Sequence, residues 1–185
     1  MNEDCMAQYG FFPPDSFTLN CTSQKFSWQH DPEHIGYDFL LLYGEDNSEL
    51  YRTTVSTHAL LLKDKLSFGE SYVWMVRSIY PDYSTGEWSS EYRFNLIELP
   101  DSIAENIAAT TYSEDLLQPD YTIGSFFGSA IGFDKDASIC WFIPREYSGW
   151  FDGGNWDVRL MPSGYIQGIS QYAARIFTVN DETIW

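Results

Sequence analysis

Between Phe17 and Leu96 the chain breaks into short apolar runs divided by turn residues at intervals of about 8 to 12 positions, which is the strand spacing of an all-β sandwich. The runs are Phe17–Cys21, Lys25–Gln29, Gly36–Tyr43, Glu49–Thr54, Thr57–Leu62, Leu66–Tyr80 and Trp88–Leu96. In the third, Tyr37, Phe39, Leu41 and Tyr43 share one face by the two-residue period of a strand. Glu49–Thr54 is polar enough to sit at an edge, whereas Val73–Tyr80 is apolar on both faces for most of its length and is expected at the centre of a sheet. In the last run, Trp88, Ser90, Tyr92, Phe94 and Leu96 alternate with Ser89, Glu91, Arg93 and Asn95, which predicts a strand with one wet side.

An aromatic content of 18% supplies bulky side chains that fit a pleated surface better than a helix interior, so the composition also points to an all-β fold. The formal net charge of −17 disfavours nucleic acid as a partner, because the field of the protein repels a phosphate backbone. It reads as a solvated acidic surface. No run is apolar and long enough to span a bilayer, and the acidic opening Met-Asn-Glu-Asp-Cys-Met shows no signal peptide. Cys5, Cys21 and Cys140 allow at most one internal disulfide, for which Cys5 and Cys21 are the sensible pair. Asn20-Cys21-Thr22 fits the glycosylation acceptor pattern.

Trp28 on the second run, Gly36-Tyr37 opening the third, Leu66 six residues before Tyr72, and Trp88-Ser89 near the last strand resemble the fibronectin type III pattern over the first half of the chain. The resemblance implies an immunoglobulin-like sandwich over residues 1–98. It also implies that the Tyr72 hydroxyl bonds back to nearby backbone as a tyrosine corner. Phe68 stands where that family usually has proline in the preceding turn.

Beyond the linker Ile97-Glu98-Leu99-Pro100-Asp101 the pattern changes, and residues 99–185 read as a separate segment. Ser102 and Glu105 have capping-box spacing for one helical turn. Tyr121–Gly132 reads as one or two strands, Trp156–Ile169 as strand, turn and strand, and Tyr172–Val179 as one more. Phe133–Trp141 recurs loosely as Phe177–Trp185, each copy a strand end, an acidic turn and a strand arriving at tryptophan. The two tryptophans lie about 44 positions apart, the period of a propeller blade.

The residues from Asp134 to Trp141, Asp157 to Gly164, Ile176-Phe177 and Thr183-Ile184-Trp185 resemble the first blade of arylsulfotransferase-type propellers. That resemblance implies a partial β-propeller of about one antiparallel blade behind the sandwich. It further implies a family reaction that moves a sulfuryl group from a phenolic sulfate ester to a phenolic acceptor through a histidine. His30, His34 and His58, the chain's three histidines, all fall in the sandwich half, so no catalytic residue is carried over.

Other constellations have simpler readings. His30 and His34 flank Asp31 and Glu33, but a loop containing Pro32 is a better account than a metal site. His58 stands alone on an expected strand and reads as a surface or packed ring. Asp134, Lys135 and Asp136 open like a calcium loop, yet Ile139 and Arg145 occupy the positions needing Gly and Glu. Asp82, Ser84, Gly86 and Glu87 read as hairpin-turn chemistry before they read as cation ligands. Cys140 reads as a small buried residue.

The aromatic group Tyr147, Trp150, Phe151 and Trp156, interleaved with Gly149, Gly153 and Gly154, reads first as rings packed between the sandwich and the blade or against a neighbouring blade, and otherwise as the candidate for stacking on a phenolic or carbohydrate ring. The expectation is therefore the non-catalytic N-terminal portion of an arylsulfotransferase-like protein, of extracellular or periplasmic type. No cofactor is expected, and the sandwich would dock the rest of its own propeller or another protein domain. The alternative is a secreted adhesion or carbohydrate-binding protein that uses the Tyr147–Trp156 loop. A propeller segment cannot bury both faces alone, so residues 99–185 are expected to need the sandwich or more chain for stability.

Overall fold

The computed structural model describes residues 10–63, 65–104, 122–126, 129–134, 138–144, 157–160, 166–169 and 174–177. The chain divides into two compact units, Met1–Ile97 and Glu98–Trp185. Apart from one helical turn, the regular structure of the described residues is β.

The first unit holds seven strands: β1 (Phe17–Leu19), β2 (Gln24–Ser27), β3 (Gly36–Tyr43), β4 (Glu49–Val55), β5 (Ala59–Leu62), β6 (Ser71–Ile79) and β7 (Tyr92–Leu96). Five form one sheet in the order β1-β7-β6-β3-β4, and β2 pairs with β5 in a second. All pairings are antiparallel except β1 with β7. The doubly apolar β6 occupies the middle of the larger sheet, where Tyr72, Val73, Trp74 and Val76 are all buried. The polar β4 lies at its edge and carries the exposed pair Arg52–Glu49, a charged surface that discourages further strand addition.

Both sheets contribute to one core. Phe26 of β2 packs edge-on against Phe39, Trp74 and Phe94 of the larger sheet, with ring centroids at 4.9, 5.4 and 5.8 Å. Leu19, Leu62, Leu66 and Leu96 are buried with them. Edge-to-face contacts of this kind add to the area that the rings bury. The segment before β1 is tied down as well: the Trp74 indole N–H donates to Pro13 O at 3.1 Å, and Phe11 stacks on Tyr92 at 4.8 Å.

The Tyr72 hydroxyl accepts the Ser67 N–H at 2.8 Å, the bond to nearby backbone expected of this residue. Burial pushes the Tyr72 phenol above its ordinary range. Beside Phe68, which departs from the family pattern, the turn contains Gly69 at a φ of 80°, a conformation glycine adopts without steric cost.

One expectation is corrected. Tyr92 lies opposite Trp74, but Ser89 N–H donates to Val76 O at 2.8 Å and Val76 N–H to Ser89 Oγ at 3.1 Å. Two steps along β6 are thus matched by three along the returning chain. This one-residue bulge reverses the alternation. Trp88 therefore lies on the face of Arg77, opposite Tyr92, Phe94 and the core.

In the second unit, the helical turn α1 (Asp101–Ala104) follows Pro100, whose carbonyl accepts the Ile103 and Ala104 N–H groups, and Ile103 is buried. The capping partner Glu105 lies outside the described residues. Strands β8 (Thr122–Phe126), β9 (Ser129–Phe133) and β10 (Ile139–Ile143) form an antiparallel meander. A second meander comprises β11 (Asp157–Leu160), β12 (Ile166–Ile169) and β13 (Ala174–Phe177). Neither sheet closes on itself. Asp134 closes the β9–β10 turn: its N–H donates to Ser138 O and its carboxylate accepts the Ser138 N–H at 2.8 Å.

Candidate functional site

The hairpin leaving β6 presents the most exposed aromatic residue of the described chain. Tyr80 N–H donates to Ser84 O, and Tyr83 N–H to Tyr80 O, both at 2.9 Å. Pro81, Asp82 and Tyr83 therefore form a three-residue loop. Asp82 braces it by accepting both the Ser84 N–H (3.0 Å) and the Ser84 hydroxyl (2.6 Å). Those bonds hold the Asp82 carboxyl below its ordinary range. Below the loop, Gly86 N–H donates to Ser78 O at 3.0 Å.

This framework holds Tyr83 in the left-handed region at a φ of 64°, while the residue is 82% exposed. The position ordinarily suits glycine, and a bulky residue there costs about 1–2 kcal/mol. The cost is borne by a ring that packs into no core.

Beside it, Ile35 N–H donates to Ile79 O at 2.9 Å, bringing the start of β3 against the end of β6. Ile35 is 46% and Tyr80 39% exposed. The His34 ring meets Tyr80 edge-on at 4.8 Å and Tyr37 at 6.1 Å. The segments 30–36 and 79–87 contain Asp31, Glu33, Asp82 and Glu87 but no lysine or arginine. The loop end is thus an aromatic and aliphatic patch within an acidic setting.

The residues singled out from sequence fall as follows. Tyr147, Trp150, Phe151 and Trp156 lie outside the described residues, as does Trp185. His30 and His34 part company: His34 packs on Tyr80, while the exposed His30 ring lies beside His58 at 5.2 Å. Asp31 serves its turn, accepting the Glu33 N–H at 2.9 Å, and its own N–H donates to the Tyr37 hydroxyl. Among the described residues, no group of three or more His, Cys, Asp or Glu converges on a point suited to a metal ion. His58 stands just before β5 rather than on a strand.

Cys21 is a free thiol directed to Ser23 O at 3.3 Å, and burial raises it above its ordinary range. The anticipated partner of Cys21, Cys5, lies outside the described residues. The Asn20 side-chain oxygen is buried without a hydrogen-bond partner, while the residue as a whole is half-buried. Cys140 is buried and donates to Gly132 O at 3.3 Å.

Sequence reasoning assigned Pro81–Gly86 to a turn and passed over Tyr83 as part of it. The available signal was a bulky aromatic at a position where turn chemistry favours glycine or asparagine. On the opposite face of the larger sheet from the core, Trp88 covers Arg77, whose Nε and Nη2 both reach Asp38 Oδ2 at 2.9 Å, and Thr54 donates to Asp38 Oδ1. The polar groups of this cluster satisfy one another, so it serves the sheet.

No helix among the described residues is long and apolar enough to cross a membrane. No family model matches the chain, and no curated protein matches it. Among solved structures it is similar to one described as "Myokine structure", at 18% identity, over 46% of this chain and 99% of that chain, with a TM-score of 0.37. A superposition at that score carries no argument.

Proposed function

We propose that this chain is a recognition module without catalytic chemistry of its own. In this reading the first unit is a fibronectin type III-like sandwich that docks a protein partner through Ile35, Tyr80 and Tyr83. The observation that carries it is Tyr83, held exposed in a strained backbone by a fully braced loop. Strain of this kind persists where surrounding structure over-determines it, commonly in binding loops. A tyrosine on a braced backbone also contributes contact area at low entropic cost, since its side chain has only two torsions to fix. The acidic residues around the patch favour a partner that offers an apolar group flanked by lysine or arginine.

The wider setting we propose is an arylsulfotransferase-like protein, with the second unit belonging to its propeller. Its two antiparallel meanders support that reading, since blades are built from such sheets. The chain by itself is then expected to turn over no phenolic sulfate ester, and measurable transfer to a phenol would overturn its non-catalytic assignment.

Selection of displayed random peptides against the whole chain tests the docking surface. Enriched peptides should carry basic residues around an apolar one and should lose binding to Tyr83→Ala. Peptides that bind Tyr83→Ala as well as the parent would remove the loop from the reading.

A further inference from the structure

We propose that His30 and His58 form a two-imidazole site for a borderline divalent transition-metal ion such as zinc or nickel, with water completing the coordination. The site is separate from the Tyr83 loop and does not depend on the role given to that loop.

The register of the smaller sheet creates the pair. β2 and β5 run antiparallel with Ser27 opposite Ala59. The ladder continues one step further, where Trp28 N–H donates to His58 O at 3.0 Å. Trp28 thus lies beside His58, and the chain leaving β2 carries His30 to the same end of the small sheet. Both histidines are exposed, and their ring centroids lie 5.2 Å apart with planes inclined by 41°.

That separation suits a shared ion. Zinc binds imidazole nitrogen at about 2.0–2.1 Å in tetrahedral geometry, and adding the ring radius places the centres of two such rings about 5 Å apart. Small side-chain rotations could then aim one nitrogen of each ring at a common point without a change of backbone. Imidazole is a good ligand for zinc, nickel and copper, whereas magnesium and calcium prefer oxygen, so discrimination between these classes follows from the donors.

The surroundings favour a cation. The chain carries 27 acidic and 10 basic residues, so its overall field attracts positive ions. Asp31, next to His30, accepts the Glu33 N–H and faces His34 Nδ1 at 3.6 Å, and among the described residues no third His, Cys, Asp or Glu joins the pair. Two protein ligands give an open, exchangeable site of modest affinity rather than a structural one. Because a proton and a metal compete for the same nitrogen, binding should weaken in acid.

The test is calorimetric titration of the whole chain with nickel chloride alone and with zinc chloride alone, repeated on His30→Ala, His58→Ala, the double variant and His34→Ala. The expected result is saturable one-to-one binding by the parent and by His34→Ala, weakened by at least about tenfold in each of the other single variants. The melting temperature of the parent, but not of the double variant, should rise with added metal, as mass action requires for a ligand of the folded state. Magnesium chloride should produce neither effect. Absence of saturable binding by the parent, or binding that survives unchanged in the double variant, would overturn the proposal.

Discussion

The Trp88 ring lies over the Arg77 guanidinium at 4.6 Å from its centroid, on the outer face of the sheet whose inner face carries Tyr92 and Phe94. Arg52 approaches the same ring at 5.9 Å, so two cations lie near the indole. Each of them is paired with a carboxylate, Arg77 with Asp38 and Arg52 with Glu49. Trp88→Ala should destabilise the first unit by about 1–2 kcal/mol through lost stacking and packing. Urea unfolding of the variant checks this; an unchanged midpoint would remove the stack from the account of stability.

Asp38 couples the same cluster to pH. Burial disfavours its charge, but hydrogen bonds from Thr54 and Arg77, with the charges of Arg77 and Arg52, outweigh that effect and depress its carboxyl below the ordinary 3.8. A depressed carboxyl contributes stability that is present above its unfolded value and is lost as pH falls through its folded one. Asp38→Asn should therefore cost about 1–2 kcal/mol at neutral pH. The gap between variant and parent should shrink below about pH 4. Melting curves across pH would show it, and a gap independent of pH would contradict the assignment.

Tyr72→Phe removes the acceptor of the Ser67 N–H while keeping the ring between Phe94 and Tyr43. Leaving that donor unmatched should cost about 1–2 kcal/mol. Amide hydrogen exchange at Ser67 should accelerate as well, which a general loosening of the core would not confine to this turn.

Phe26→Ala should be the most damaging of these substitutions, because one ring from the smaller sheet fills the space among Phe39, Trp74 and Phe94. The expected loss is about 3–5 kcal/mol. Phe26→Leu should recover a substantial part of it. A small effect from the alanine variant would mean that the two sheets do not share the core described.

Tyr83→Gly should act in the opposite sense. Relieving the left-handed tyrosine is expected to stabilise the fold by about 1 kcal/mol while abolishing recognition by the loop. A variant that is less stable than the parent would show that Tyr83 supports the fold, and the argument for a binding role would lose its basis.

The local code of the chain determined where most strands of the first unit run. Gly36–Tyr43 and the long apolar segment ending at Ile79 form β3 and β6 because alternation and turn residues agree there with the burial that the sheet requires. The polar character of Glu49–Thr54 was enough to put β4 at an edge, and the hairpin patterns within Tyr121–Ile169 were legible as strands. The aromatic group Tyr147, Trp150, Phe151 and Trp156 was legible only as composition, since no period or spacing says what such rings face.

Tertiary structure decided the rest. A single extra residue between Ser89 and Tyr92 turned Trp88 to the other face, and alternation carries no mark of a bulge that depends on the partner strand. The neighbouring positions His30 and His34 were separated, and His30 was brought to the distant His58, because strand register joins residues that are far apart in sequence. Tyr83 acquired its meaning only from the hydrogen bonds that close its loop. Period and turn chemistry are local properties that a sequence displays directly; which side chains meet is settled by pairing between distant segments, and only the folded chain displays it.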